Sequence, residues 1–264
     1  MPAYWSLDGT TVTGLTLLPN PSPALHVVSP DFNGDDILWQ HDSGLSAIWI
    51  MDGPRVTSTT LLPDLGPSFD IAAAANFNGD GFTDILWRHD SGLSAMWIMH
   101  GTTIASTAAL PNLGPSFHVA AAADFNGDGR SDILWQHDSG LTAMWTMNGA
   151  TIDTATSLPN LGPSFHVAAA ADFDGDGRSD ILWQHDSGAL SLWTMNGSMI
   201  TSTALLPNIG TTFHIAEADD INDDGRADIM LQGDDGTTAI WTMNGPTITT
   251  VTFLPNFGSD WHIF

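Results

Sequence analysis

A tryptophan returns every 48 residues along most of this chain, at Trp49, Trp97, Trp145, Trp193 and Trp241. A period of that strictness commits the polypeptide to a repeat architecture, in which one supersecondary unit is copied and each copy covers its neighbour. The unit beginning at His118 reads HVAAAADF, NGDGRS, DILWQHD, SG, LTAMWTMN and GATIDTATSLPNLGPSF before the next His166. Its four short β-type runs, separated by Gly, Asp, Asn and Pro, predict four strands, here called A to D. A four-stranded unit of this length has the scale of a propeller blade, whereas solenoid repeats are shorter or helical. Glu217 is the only Glu, and the remaining carboxylates are Asp, a residue of turns and metal loops rather than helix interiors.

The expected fold is therefore all-β, a β-propeller of four-stranded blades. The small side chains Ala120 to Ala123 suit a crowded innermost strand A. Strands B and C are apolar on both faces, as in sheets sandwiched between neighbours, with Ile133 and Trp135 opposite Leu134 in B and Leu141, Ala143 and Trp145 opposite Met144 in C. Strand D, with Thr151, Asp153, Thr154 and Thr156, is polar enough for an outer edge. Five complete units start near His26, Asp70, His118, His166 and His214. Residues 4–19 supply only C and D strands and residues 261–264 only the start of an A strand. The simplest closure joins the two termini in a partial composite sixth blade, so that residues 1–264 form a single domain with its sheet edges covered; because that blade lacks a B strand, a gapped ring or completion by another chain is the alternative.

Charge narrows the partners. Five Lys+Arg against 30 Asp+Glu give a net charge of -25, which repels nucleic acid and anionic membrane surfaces. No stretch approaches the ~18 apolar residues of a membrane span, and no leader segment is visible at the N-terminus. There is no Cys, so the redox compartment is not read from disulfides.

The loop between strands A and B carries the strongest chemistry. The third unit sets Asp124, Asn126, Asp128, Arg130 (through its backbone carbonyl) and Asp132 at positions one, three, five, seven and nine, with Gly129 for the sharp turn. Calcium takes six to eight hard oxygen ligands, and this spacing wraps oxygens around one centre. With no thiol or imidazole in the loop, transition metals are disfavoured. The set recurs as Asn76, Asn78, Asp80, Phe82 and Asp84, as Asp172, Asp174, Asp176, Arg178 and Asp180, and as Asp220, Asn222, Asp224, Arg226 and Asp228. Asn at two positions predicts weaker affinity in the second unit. The first loop, with Asp31, Asn33, Asp35 and Asp36, is three residues short and is expected to be broken or differently coordinated. The count is thus four or five calcium ions.

The string DFNGDGRSDILW resembles the FG-GAP or VCBS repeats of integrin-like propellers and bacterial surface proteins, and the resemblance covers nearly the whole chain. It implies a calcium role for these loop residues and a secreted or cell-surface setting. It also implies one of two binding functions, a glycan lectin like the propeller lectins of fungi and bacteria or an adhesion scaffold holding a surface protein.

Alternating strand direction puts the A–B loops and C–D turns at one end and the B–C turns and D–A crossovers at the other. That second end gathers the candidate ligand residues Phe117, His118, Trp135, Gln136, His137 and Asp138 in the third unit and Phe165, His166, Trp183, Gln184, His185 and Asp186 in the fourth. Imidazole, amide and carboxylate groups suit sugar hydroxyls, and an aromatic ring suits a sugar's apolar side. The strand B tryptophans are open to two readings, stacking platform or core, and a turn histidine can simply bond the backbone. Every polar cluster is copied several times, whereas catalysis needs one asymmetric constellation. No enzyme is expected.

Overall fold

A computed structural model describes residues 3–8, 11–17, 24–34 and 36–256. Within them the chain is all strand and turn. Strands β1 (Ala3–Asp8) and β2 (Thr11–Leu17) form a two-stranded antiparallel hairpin. Blade 1 holds β3 (Leu25–Phe32), β4 (Asp36–His41), β5 (Ser46–Asp52) and β6 (Arg55–Leu61). Blade 2 holds β7 (Phe69–Ala75), β8 (Asp84–His89), β9 (Ser94–His100) and β10 (Thr103–Leu110). Blade 3 holds β11 (Phe117–Ala123), β12 (Asp132–His137), β13 (Thr142–Asn148) and β14 (Thr151–Leu158). Blade 4 holds β15 (Phe165–Ala171), β16 (Asp180–His185), β17 (Leu190–Asn196) and β18 (Met199–Leu206). Blade 5 holds β19 (Phe213–Asp219), β20 (Asp228–Gly233), β21 (Thr238–Asn244) and β22 (Thr247–Phe253). Each blade is an antiparallel meander in chain order. Residues 261–264, expected to begin a further A strand, and Asp35 of the first loop lie outside the described residues.

The A strands touch one another in sequence, β3 with β7, β7 with β11, β11 with β15 and β15 with β19, so they line the inside. Their alanines permit that approach. Outermost β14 is exposed along most of its length.

Packing between blades follows one rule. The Phe, Leu and Met face of a blade meets the Trp face of the next. Phe77, Leu86 and Met96 of blade 2 form one core with Ile133, Trp135 and Trp145 of blade 3, and Phe125, Leu134 and Met144 of blade 3 form another with Ile181, Trp183 and Trp193 of blade 4. The two tryptophans within a blade pack tilted or edge to face, Trp135 and Trp145 with centroids 5.1 Å apart. Trp87, Trp135 and Trp183 are completely buried. This corrects the expectation that Trp135 and Trp183 offer a stacking platform, because the neighbouring blade occupies the space a ligand would need.

Polar clips reinforce the apolar contact at both ends. At the end bearing the A–B loops, the carbonyls of positions one and two accept from the next blade. Between blades 3 and 4, Ser179 N–H donates to Asp124 O at 2.7 Å and Gly197 N–H to Phe125 O at 2.7 Å, and the same pair forms between blades 2 and 3 and between blades 4 and 5. Blade 1 reaches this result differently. Its short loop sends the Asn33 side chain across: Oδ1 accepts from Thr83 N–H at 2.6 Å and Nδ2 donates to Gly101 O at 3.3 Å. At the other end, Gln136 Nε2 donates to Phe165 O at 2.6 Å and its Oε1 accepts from Val167 N–H at 3.4 Å. Gln40 does the same to Phe69 and Ile71. Gln136, expected to bind ligand, is consumed as a clip between blades. Arg88 takes this place in blade 2, donating to Gly114 O at 2.9 Å while its guanidinium lies over the Trp135 ring.

The B–C turn and the following crossover meet through glycine backbones. Gly140 has φ +85°, and a Cβ there would collide with the Gly162 backbone, whereas Gly162, at φ +91°, has open space around its own Cβ position. Gly140→Ala should therefore cost about 3 kcal/mol, left-handed strain plus overlap, and Gly162→Ala about 1–2 kcal/mol, strain alone. Urea unfolding of both variants checks this, and equal losses would refute the close-approach argument.

Candidate functional site

The A–B loops of blades 2 to 5 are wound around their first residue. The Asp124 carboxylate accepts from Gly127 N–H (2.7 Å) and Asp128 N–H (3.2 Å) through Oδ1 and from Gly129 N–H (2.7 Å) through Oδ2. Asp172 repeats all three contacts. Asn76, with one acceptor oxygen, accepts only from Gly79 N–H. In blades 2 to 4 positions three and five each use one oxygen on the turn, as when Asn126 Oδ1 accepts from Asp128 N–H and Asp128 Oδ1 from Arg130 N–H. The Arg178 guanidinium sits on Asp176 Oδ2 at 2.8 Å.

Position nine opens strand B from inside the protein. Asp84, Asp132, Asp180 and Asp228 are all fully buried. Oδ1 of each accepts from a methionine N–H near the end of strand C, Met147 at 2.9 Å in blade 3. Asp36 makes the same bond to Met51 N–H, so the short first loop keeps the structural half of this position. The second oxygen divides the blades. In blades 2 and 4 it accepts from Phe77 and Phe173 N–H at 3.0 and 3.1 Å, whereas in blades 3 and 5 the equivalent donors, Phe125 and Ile221 N–H, pull the Asp132 and Asp228 carboxyls down without closing a full hydrogen bond to Oδ2. Asn222 Oδ1 at position three of the fifth loop is buried and unpartnered. In the fourth loop one ligand atom from each of Asp172, Asp174 and Asp176 lies within 4.8 Å of the others. Unsatisfied buried oxygens such as Asn222 Oδ1 are costly, and hard oxygens converging in this way are residues that could hold a hard cation such as calcium.

Electrostatics describe the same strain. Burial pushes the Asp132 and Asp180 carboxyls up to about 7 and that of Asp84 to about 6, against the pull of their backbone donors, and neighbouring loop carboxylates add to the rise. Asp228 and Asp174 also move upward, first because of burial.

The opposite end carries a different constellation. His118 Nε2 meets Asp138 Oδ1 at 2.8 Å, His166 meets Asp186 at 2.9 Å and His26 meets Asp42 at 2.6 Å, all exposed. These hydrogen bonds hold the Asp138 and Asp186 carboxyls below the usual carboxylate range. His137 Nδ1 accepts from Ser139 N–H at 3.0 Å, and His185 does so from Ser187 N–H. In a neutral ring that leaves the proton on Nε2, an outward donor. Phe117 and Phe165 pack edge to face on His137 and His185, with centroids 4.8 Å apart, and brace those rings.

Between blades 4 and 5 this face holds a cavity of about 380 Å³, lined by His166, Gln184, His185 and Asp186 together with Gly210, Thr211 and Ile215. Four sequence-predicted residues of the fourth unit thus converge. Sequence reasoning missed the three from the crossover and the next strand, although Thr211 breaks a series otherwise held by Pro67, Pro115 and Pro163.

Comparison with known proteins is consistent with this architecture. The family described as FG-GAP-like repeat matches residues 76–135, 124–183 and 172–231, windows that together span more than half of the chain. Solved structures share the fold. The β-propeller domain of Myceliophteria thermophila Cps50 (Swd1) is 10% identical with a TM-score of 0.54, covering 97% of this chain and 75% of that one. Raptor from Chaetomium thermophilum is 10% identical with a TM-score of 0.51, covering 90% of this chain and 21% of its own. No curated protein matches the chain.

The raised carboxyls set a direction for pH dependence. The folded metal-free protein holds these protons more tightly than the unfolded chain, whose carboxyls titrate near 4, so stability should fall as pH rises from about 4 through 7. In excess chelator the melting temperature should decline over that range, and Asp132→Asn or Asp180→Asn should flatten the decline. A melting temperature that climbs with pH under chelation would contradict this assignment.

Proposed function

The chain belongs to the FG-GAP-like repeat family, and from that premise we propose that it is a calcium-stabilised, multivalent carbohydrate-binding protein, secreted or displayed at a cell surface, and not an enzyme. The observation that carries the binding reading is the cavity between blades 4 and 5, whose volume falls in the range of small-molecule sites. Its polar lining offers two imidazoles held by neighbours together with an amide and a hydroxyl, the inventory that pairs with sugar hydroxyls. The His–Asp pairs of blades 1, 3 and 4 repeat part of that lining around one rigid face. Weak sites repeated in this way raise avidity by ~10² to 10⁴ on a surface displaying many glycans, where spacing permits.

Calcium would be held by positions one, three, five and nine and the position-seven carbonyl of the loops in blades 2 to 5, supplying the positive charge that their clustered carboxylates lack. Extracellular calcium modules bind with dissociation constants near ~10⁻⁴ to 10⁻³ M. At ten times that concentration each site adds about 1.4 kcal/mol and four sites add roughly 6 kcal/mol, so chelation should lower the melting temperature by about 15 °C at neutral pH. An unchanged melting curve, with no calcium in the dialysed protein, would dispose of the calcium role. For the carbohydrate role, a glycan array followed by calorimetry should show binding that weakens in His185→Ala. If no glycan binds at millimolar concentration, a protein-binding scaffold becomes the better account. Leu205 and Phe253 on the outer strands, 86% and 68% exposed, favour that second reading.

The same proposal closes the ring with a composite sixth blade made from the β1–β2 hairpin and residues 261–264. Its support is that the Trp face of blade 1 (Ile37, Trp39, Trp49) and the opposite face of blade 5 (Met230, Ile240, Leu254), the two ends of the series, are both buried. Deleting residues 1–19 should then uncover Trp39 and Trp49 and shift tryptophan emission to the red. Unshifted emission would argue against the closure.

A further inference from the structure

On the His–Asp face the joint between blades 4 and 5 is clipped more loosely than the two other joints that use a glutamine. Gln40 and Gln136 each bond the next A strand with both ends of the amide, whereas Gln184 makes one bond, Nε2 to Phe213 O at 3.2 Å. Its Oε1 makes no hydrogen bond among the described residues, and Gln184 is one of the residues that line the cavity. The crossover differs as well. Gly-Pro-Ser-Phe at the three earlier joints becomes Gly210-Thr211-Thr212-Phe213, and Ile209 N–H donates to Gly188 O at 3.0 Å. Where proline has no N–H to give, Thr211 brings both an N–H and a hydroxyl, neither bonded among the described residues, to the wall of the cavity.

Resting on the carbohydrate reading, we infer that this joint is the dominant site, that Thr211 is its specificity-determining residue, and that its ligand is a neutral rather than an acidic sugar. Thr211 N–H and His185 Nε2–H are donors, Gln184 Oε1 is an acceptor, and the Thr211 hydroxyl is either. Such a set matches adjacent hydroxyls, each of which donates and accepts. A carboxylate would use the donors of this set but would face Gln184 Oε1 and Asp186 without a Lys or Arg to offset its charge. Asp186 lines the same cavity, His166 is already bonded to Asp186 Oδ1, and the molecule carries a net charge of -25, so an acidic sugar meets repulsion on approach and finds no Lys or Arg in the lining. The third-unit site keeps Pro163 and a fully bonded Gln136, so it has fewer groups to offer.

The test titrates the full chain with the methyl glycosides of mannose, galactose and N-acetylglucosamine, and with glucuronic acid and N-acetylneuraminic acid, by ligand-observed NMR and calorimetry. At least one neutral glycoside should bind in preference to both acids. Thr211→Val, which removes the hydroxyl alone, should weaken it about ten-fold, and Thr211→Pro, which also removes the N–H, should weaken it further. Both variants should fold, since proline already stands at this place in three crossovers, and their melting temperatures verify it. Pro163→Thr should strengthen binding at the preceding joint. Folded Thr211 variants that bind like the parent, or acidic sugars that bind as well as neutral ones, overturn this inference alone. Binding of none of the five sugars overturns it together with the carbohydrate reading.

Discussion

Each four-stranded sheet in this protein is apolar on both faces, and a sheet of that kind must be covered twice. The rest of the architecture follows from that requirement. Burying a large apolar side chain stabilises by about 1.5–3 kcal/mol, and each joint buries several, Phe77, Leu86, Met96, Ile133 and Trp135 at the one between blades 2 and 3. No blade can leave its neighbour without exposing such a set. The two faces also differ, one built on Trp and the other on Phe, Leu and Met, so blades stack in one direction only.

Once packing fixes the stack, polar groups at the two ends take unlike duties. On the loop end, backbone carbonyls of one loop hold the N–H groups of the next, so the shape of each acidic loop depends on its successor. On the other end, an amide side chain performs the clipping, and its bonding grades from two short bonds at Gln40 to one long bond at Gln184. The cavity sits where the clip is loosest. The side chain that clips the other joints with both ends of its amide keeps one end unbonded at this cavity.

Much of this was legible in the residues. The period, the four strands, the inner alanines, the outer threonines and the division into two ends all follow from spacing and side-chain size, which are local properties. The roles of Trp135 and Trp183 were not, because a tryptophan near a strand end reads alike as platform or core until the facing blade is in place. Gln136 illustrates the same limit, since its partners at Phe165 and Val167 belong to another unit. The pairing of His118 with Asp138 was half legible: topology put both at one end, and only the register of β11 with β12 brought the atoms to 2.8 Å. Asn33 was read as the remnant of a metal loop. Its function as a latch rests on reach across a joint to Thr83 and Gly101, fifty and more residues away.

That latch completes a regularity: from blade 1 to blade 5, each joint ties equivalent places in one unit to equivalent places in the unit that follows. A unit is thus an interchangeable part. If residues 118–165 were excised in frame, Phe77 O of blade 2 would face Gly197 of blade 4 where it now faces Gly149, and Asn76 O would face Ser179 where it now faces Ser131. Genes with internal repeats lose and gain whole units by unequal recombination. Here such an event changes the circumference of the ring and the number of its sites while leaving the chemistry of each joint as it was.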